Sequence, residues 1–209
     1  MMNPNSVPRA KNQPLREKLR EVAATAILQA SEQVFVEQGL HAAKMETIAA
    51  RAGVAVGTLY NHFEDRTALL AALVEERRLE LADVLDSSLA TYKGQSFDMQ
   101  LSDFVIRFLA YCESKVSLVA LMAEAEPSPA LRKQRTAAVE AIELRTRELV
   151  KRGIQYKDID AAHAQTLPVL ILGMLKGALE DSRTRQTGKR TPEEWAADIS
   201  TLVLRGMGG

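Results

Sequence analysis

Apolar residues recur along most of the chain at three- and four-residue spacing, and no segment keeps the alternation of a half-buried strand. The pattern predicts an all-α protein. A first helix is expected from Leu15 to Gln38, with Ile27, Ala30 and Val34 on one face and Gly39 closing the last turn. Two short helices follow, Met45 to Ala52 and Val56 to His62, parted by Gly53. A fourth starts after Asp65, an expected N-cap, and runs to Leu89, ahead of the break at Lys93-Gly94-Gln95. Ser96 can cap the next. The pattern from Phe97 to Glu126 is too long for one ordinary helix, so a break is expected between Ser114 and Ser117. Ser128-Pro129 opens another helix, expected to end at Gly153. A further helix, from Asp158 or Asp160 to Arg185, carries Pro168, which predicts a kink. The last begins at the capping box Thr191-Pro192-Glu193-Glu194 and ends at Gly206.

The chain has 209 residues, 46% of them hydrophobic, enough for a full core without disulfides or a structural metal. Residues 1–14 are polar with Pro4, Pro8 and Pro14, and predict a disordered basic arm. Lys plus Arg and Asp plus Glu both number 27, which excludes a generally polybasic protein; any nucleic-acid contact must use a local surface. Cys112 is the single cysteine, so an intramolecular disulfide or a Cys-rich zinc site is excluded, and a small buried apolar role is expected. The first twenty residues hold no apolar signal region, and no run approaches the roughly 18 apolar residues of a membrane span. The expectation is a cytoplasmic protein with no membrane partner and no cofactor. His163, Glu124 and Glu126 have no metal-ligand spacing, and no metal is expected.

The segment from Met45 to Phe63 reads as a helix-turn-helix. Ile48 and Ala49 face inward, Gly53 supplies the turn, and Val54 and Leu59 pack back onto the first helix. Val56, Gly57, Thr58, Tyr60, Asn61 and His62 are left outward on the second short helix, which suits the DNA major groove. Residues 21–66 hold three basic residues (Lys44, Arg51, Arg66) against six acidic ones. Residues 1–20 hold five basic residues (Arg9, Lys11, Arg16, Lys18, Arg20) against Glu17 alone. The positive field near DNA is therefore expected from the arm and the start of the first helix.

These residues resemble the tetracycline-repressor (TetR) family of bacterial transcription regulators. The likeness runs through Ile27-Leu28, Ala30, Phe35 and Gly39, then Ile48-Ala49 and Ala52-Gly53-Val54. It continues through Gly57-Thr58-Leu59-Tyr60, His62-Phe63, Arg66 and Leu69-Leu70, covering roughly residues 20–75. The resemblance implies a DNA-binding domain over 15–75, its motif about 43–62, and a ligand-binding and dimerisation domain over 76–209. Thr58 would read a base or meet a phosphate, Tyr60 and His62 would meet phosphates or bases, and Gly57 would let the main chain approach. Lys44 and Thr47 would face flanking phosphates, and Arg66 would ground the start of the fourth helix on the DNA backbone. Lys44 and Ala55 depart from the hydroxyl residues the family often places there, so side-chain caps are expected to be missing from both short helices.

Phe97, Leu101, Phe104, Phe108 and Tyr111 form one helical stripe. The resemblance implies a small-molecule pocket, with Phe104, Phe108, Tyr111, Met122 and Met174 as candidates. It also implies that the last two helices pair with their twins in a homodimer. Leu167, Leu170, Gly173, Met174, Gly177, Trp195, Ile199 and Leu202 are the candidate interface. The expected function is a repressor that binds double-stranded, pseudo-palindromic operator DNA and answers to a largely apolar effector. A second reading is an all-helical ligand-binding or assembly protein that keeps the helix-turn-helix shape without operator binding. An enzyme would need a polar constellation that the sequence lacks.

Overall fold

The computed structural model describes residues 13–115, 128–185 and 187–206, in which eight α-helices and one 3₁₀ turn occur and no strand. The chain divides into a first unit, up to Leu73, and a second, from Val74 onward. Residues 1–12 of the expected arm and Met122 lie outside the described residues; the arm was expected to reach residue 14, but Gln13 and Pro14 already belong to the first helix.

The first unit contains α1 (Gln13–Gln38), α2 (Met45–Ala52), α3 (Val56–His62) and the opening of α4 (Arg66–Thr91). Ile27, Ala30, Val34 and Phe35 of α1 close over Ile48, Ala49 and Leu59, all buried. Gly39 and Gly53 take left-handed backbone, at φ 78° and 70°, where a side chain would be strained. Asp65 caps α4 as expected: its Oδ1 accepts from the Ala68 amide at 2.7 Å.

The second unit contains the rest of α4, α5 (Phe97–Ser114), α6 (Pro129–Gln155), the 3₁₀ turn Ala161–His163, α7 (Thr166–Thr184) and α8 (Pro192–Gly206). The stripe Phe97, Leu101, Phe104 and Phe108 on α5 is its core, joined by Leu149, Ile171, Leu175 and Ile199. Helix α5 packs on α6, α7 and α8. It ends at Ser114, within the expected break.

Three local expectations need correction. Helix α6 does not stop at Gly153; it runs to Gln155. The glycine is there for space, since a Cβ at 153 would lie 2.6 Å from Phe97 and 2.7 Å from Ile159. Asp158 begins no helix. Its Oδ2 accepts from the Phe97 amide at 2.8 Å, from 61 residues away, and so adds to Ser96, which caps α5 as expected by accepting from the Met99 amide at 3.5 Å. Pro168 sits in the first turn of α7, where the missing N–H costs no helical bond, so the reason to expect a kink disappears. The capping box of α8 forms as read: Glu194 accepts from the Thr191 amide at 2.9 Å, and Thr191 from the Glu194 amide at 3.2 Å.

The second-unit part of α4 is gripped through its main chain. Tyr111 of α5 donates its phenol to the Arg77 carbonyl at 2.9 Å and lies 3.0 Å from Glu80 Oε2. Arg145 of α6 donates to the Ala82 carbonyl at 3.1 Å and pairs with Asp86. Arg152 donates to the Leu89 carbonyl. Burial alone would raise the Glu80 carboxyl, but hydrogen bonds from Arg77 and Tyr111 outweigh it and hold the group below the usual carboxylate range.

Three substitutions test this packing by urea denaturation. Gly153→Ala should cost about 1–3 kcal/mol, because Phe97 and Ile159 must move. Asp158→Ala should cost about 0.5–2 kcal/mol, the worth of a cap. Tyr111→Phe should cost about 1–2 kcal/mol at neutral pH. Because the Glu80 carboxyl is held low in the fold, its stabilisation is present above the unfolded carboxylate pKa and lost as pH falls through the folded value. The gap between wild type and Tyr111→Phe should therefore narrow in acid; a gap independent of pH would contradict the Tyr111–Glu80 bond.

Candidate nucleic-acid interface

The turn between α2 and α3 is set by Gly53, whose N–H bonds the Ala49 and Ala50 carbonyls. The Val54 amide also returns to the Ala49 carbonyl, at 3.0 Å. Leu59 is fully buried and fixes the rotation of α3 about its axis. Residues one and two positions on, Tyr60 and Asn61, must then point away from the core. Tyr60 is 46% exposed, and Val56, Gly57 and Asn61 are exposed with it. Thr58 and His62 flank this face, partly covered. Lys44 and Ala55 precede their helices in extended backbone and give no side-chain cap, as their chemistry dictates.

The electrostatics of this face are uneven. Arg51 is tied to Glu37 of α1 at 2.6 Å. Arg66 donates to the His41 carbonyl at 2.8 Å, so its guanidinium holds the start of α4 to the α1–α2 loop. Lys44 is exposed and makes no ion pair among the described residues. Thr47 is half-buried on α2. The start of α1 supplies further cations, Arg16, Lys18 and Arg20, all exposed. Arg20, with Glu17, Glu21 and Ala24, shares a shallow cleft of about 260 Å³ with His62. The basic beginning of α1 and the end of α3 thus meet on one side of the first unit. Sequence reading counted Arg20 as charge without placing it; its position four residues before Ala24, on the continuation of the α1 core face, was the available signal.

In the second unit, Phe104 and Phe108 are core residues, buried in the α5 stripe. The phenol of Tyr111, a pocket candidate whose polar end suits a ligand or a buried partner, bonds to α4, and burial and the Glu80 carboxylate push it well above the usual phenol range. Met174 lines a shallow groove of about 260 Å³ with Leu167, Leu170 and Leu202. Of the candidate interface, Leu170 and Leu202 are 55% and 65% exposed, and Gly173 and Gly177 lie open beside them. Leu167 and Ile199 were expected to face a partner. They are instead buried in the core of the second unit, because they fall on the α7 and α8 faces turned to α5. Trp195 is half-buried, with Arg190 over its ring at 4.8 Å. A second cavity, of about 400 Å³, lies where Cys112, Ser182, Arg183, Lys189 and Arg190 meet. Sequence reading passed over it, although the basic run from Arg183 to Arg190 marked the place. No three His, Cys, Asp or Glu side chains among the described residues could hold a metal ion. No helix among them is long and apolar enough to cross a membrane.

The sequence pattern of the bacterial regulatory proteins of the tetR family matches residues 27–73. The HTH-type transcriptional regulator UidR of Escherichia coli is 25% identical over 166 residues, 75% of this chain and 80% of the relative. The HTH-type transcriptional repressor BepR of Brucella suis is 36% identical over 73 residues, 34% of this chain and 35% of the relative. Among solved structures, a putative TetR-family regulator from Mesorhizobium loti superposes with a TM-score of 0.75 over 90% of this chain and 96% of its own, at 20% identity. That likeness extends the all-helical fold beyond the DNA-binding unit. It is the helix-turn-helix unit, from Ile27 of α1 to the opening of α4, that carries the pattern of the tetR family of bacterial regulatory proteins.

Proposed function

We propose that the protein is a ligand-responsive transcription repressor that binds a pseudo-palindromic operator as a homodimer. The observation that carries the reading is the outward face of α3: buried Leu59 fixes the helix, and Tyr60 and Asn61 stand exposed beside Thr58. Such a helix enters a major groove with its first residues nearest the base edges. The cations at the start of α1 and Lys44 lie exposed on the same unit and supply the phosphate attraction that residues 21–66, acidic overall, do not.

Homodimerisation is supported by the apolar strip of Val169, Leu170 and Leu202, with glycines 173 and 177 open beside it. Exposed apolar side chains gathered on two neighbouring helices are costly in water and suit a partner of the same shape. A second copy would present a second recognition helix, about 34–36 Å away for successive major grooves. The effector reading rests on the cavities of the second unit and on the α4 grip. A molecule that competes for Tyr111, Arg145 or Arg152 would favour one placement of α4 over another.

DNA selected by the purified protein should be pseudo-palindromic. On that DNA, Thr58→Ala should change base preference, whereas Tyr60→Phe should weaken binding with little change in preference. Lys44→Ala should lower affinity on all sequences and flatten the salt dependence by about one unit. Unaltered binding in all three folded variants would reject the recognition-helix assignment. Leu170→Arg should yield a monomer in sedimentation and abolish operator binding; a dimeric variant that still binds would reject the α7 face.

A further inference from the structure

Ser182 on α7 is 8% exposed, yet its hydroxyl has no hydrogen-bond partner among the described residues. It lines the cavity of about 400 Å³ between the last turns of α5 and α7 and the start of α8. The cavity wall is largely apolar there, with Cys112 and Leu179. Its charged lining is mostly cationic: Arg183, Lys189 and Arg190 against the carboxylate of Glu113. Arg183 is shared with Glu180 at 3.3 Å, and Arg190 is held by Asp198 and the Trp195 ring. Lys189 makes no ion pair among the described residues. The Thr191 and Glu194 amides at the start of α8 are taken up by their capping box.

We propose that this cavity binds a small organic acid in its anionic form. The apolar body lies against Cys112 and Leu179. The acid head accepts from the Ser182 hydroxyl and the Lys189 ammonium, with Arg183 and Arg190 adding positive field at the rim. The Lys189 ammonium, without an ion-pair partner among the described residues, and the unbonded Ser182 hydroxyl line one cavity, and an anionic oxygen can accept from both. An apolar wall with a few convergent polar groups is the usual build of a small-molecule site, and its volume lies in the usual range. The inference rests on the effector reading for its regulatory meaning, gives it a ligand class, and places that ligand at the ends of α5 and α7 instead of at Tyr111, Arg145 or Arg152.

The chain supplies its own reporters. Cys112, its single cysteine, lines the cavity, and Trp195, its single tryptophan, lies under Arg190. Burial pushes the Cys112 thiol up to about 12, so labelling by excess maleimide is slow and reads access. The probes are octanoate and octanol, which share a chain length and differ in charge. Octanoate should slow Cys112 labelling by about fivefold or more at saturation and shift Trp195 emission, while octanol at equal concentration should not. Lys189→Ala and Ser182→Ala should each raise the half-protecting octanoate concentration about fivefold, with unchanged far-ultraviolet circular dichroism. Equal protection by octanol, no protection by either probe, or full protection in Lys189→Ala would overturn the proposal. A parallel titration with operator DNA separates the two claims. Protection together with altered operator affinity supports both, and protection with unaltered operator affinity upholds the site and overturns its regulatory meaning.

Discussion

Three side-chain donors close on the main-chain carbonyls of one helix: Tyr111 on Arg77, Arg145 on Ala82 and Arg152 on Leu89, all on α4. A helix held by apolar packing alone can slide by small repacking at little cost. One whose carbonyls take directed bonds from two neighbours has a fixed height and rotation. The grip comes from α5 and α6 together, so the placement of α4 depends on both, and they depend on each other through Gly153 and Phe97. The α5 stripe, from Phe97 to Phe108, fills the space that results.

The helix-turn-helix was legible in the sequence because its determinants are local. Gly53 is left-handed, Leu59 sits at the one α3 position that must be buried, and both short helices fall within the spans their neighbours allow. The capping signals of Asp65, Ser128 and Thr191 were also local, and each forms. What stayed hidden depends on long-range contact. Gly153 looks like a helix end until Phe97 arrives beside it, and Asp158 looks like a helix start until it meets the Phe97 amide. Tyr111 was legible as the polar end of the α5 stripe, but its partners lie over thirty residues away, on α4. Leu167 and Leu170 share one apolar pattern, and only the neighbours of α7 decide which is buried and which exposed.

Charge is distributed in the same economical way. A chain with no net charge can still approach a polyanion if its cations stay unpaired where they are needed. Glu37 holds Arg51, and the His41 carbonyl occupies Arg66. Lys44 and the α1 cations carry no such ties among the described residues. The inventory of Lys and Arg is therefore a weaker guide to the interface than the ion pairs, which remove some cations from service.

The bond from the Phe97 amide to Asp158 has a consequence in time as well as in stability. Ser96, adjacent in sequence, offers α5 a loose start at once, whereas Asp158 can reach it only after the intervening chain has folded back. The first turn of α5 is therefore finished by a part of the molecule synthesised later. A nascent chain that has emerged only as far as α5 would carry this helix frayed at its origin. The amide of Phe97 would exchange with solvent until the end of α6 docks, and its protection marks the moment when the second unit closes.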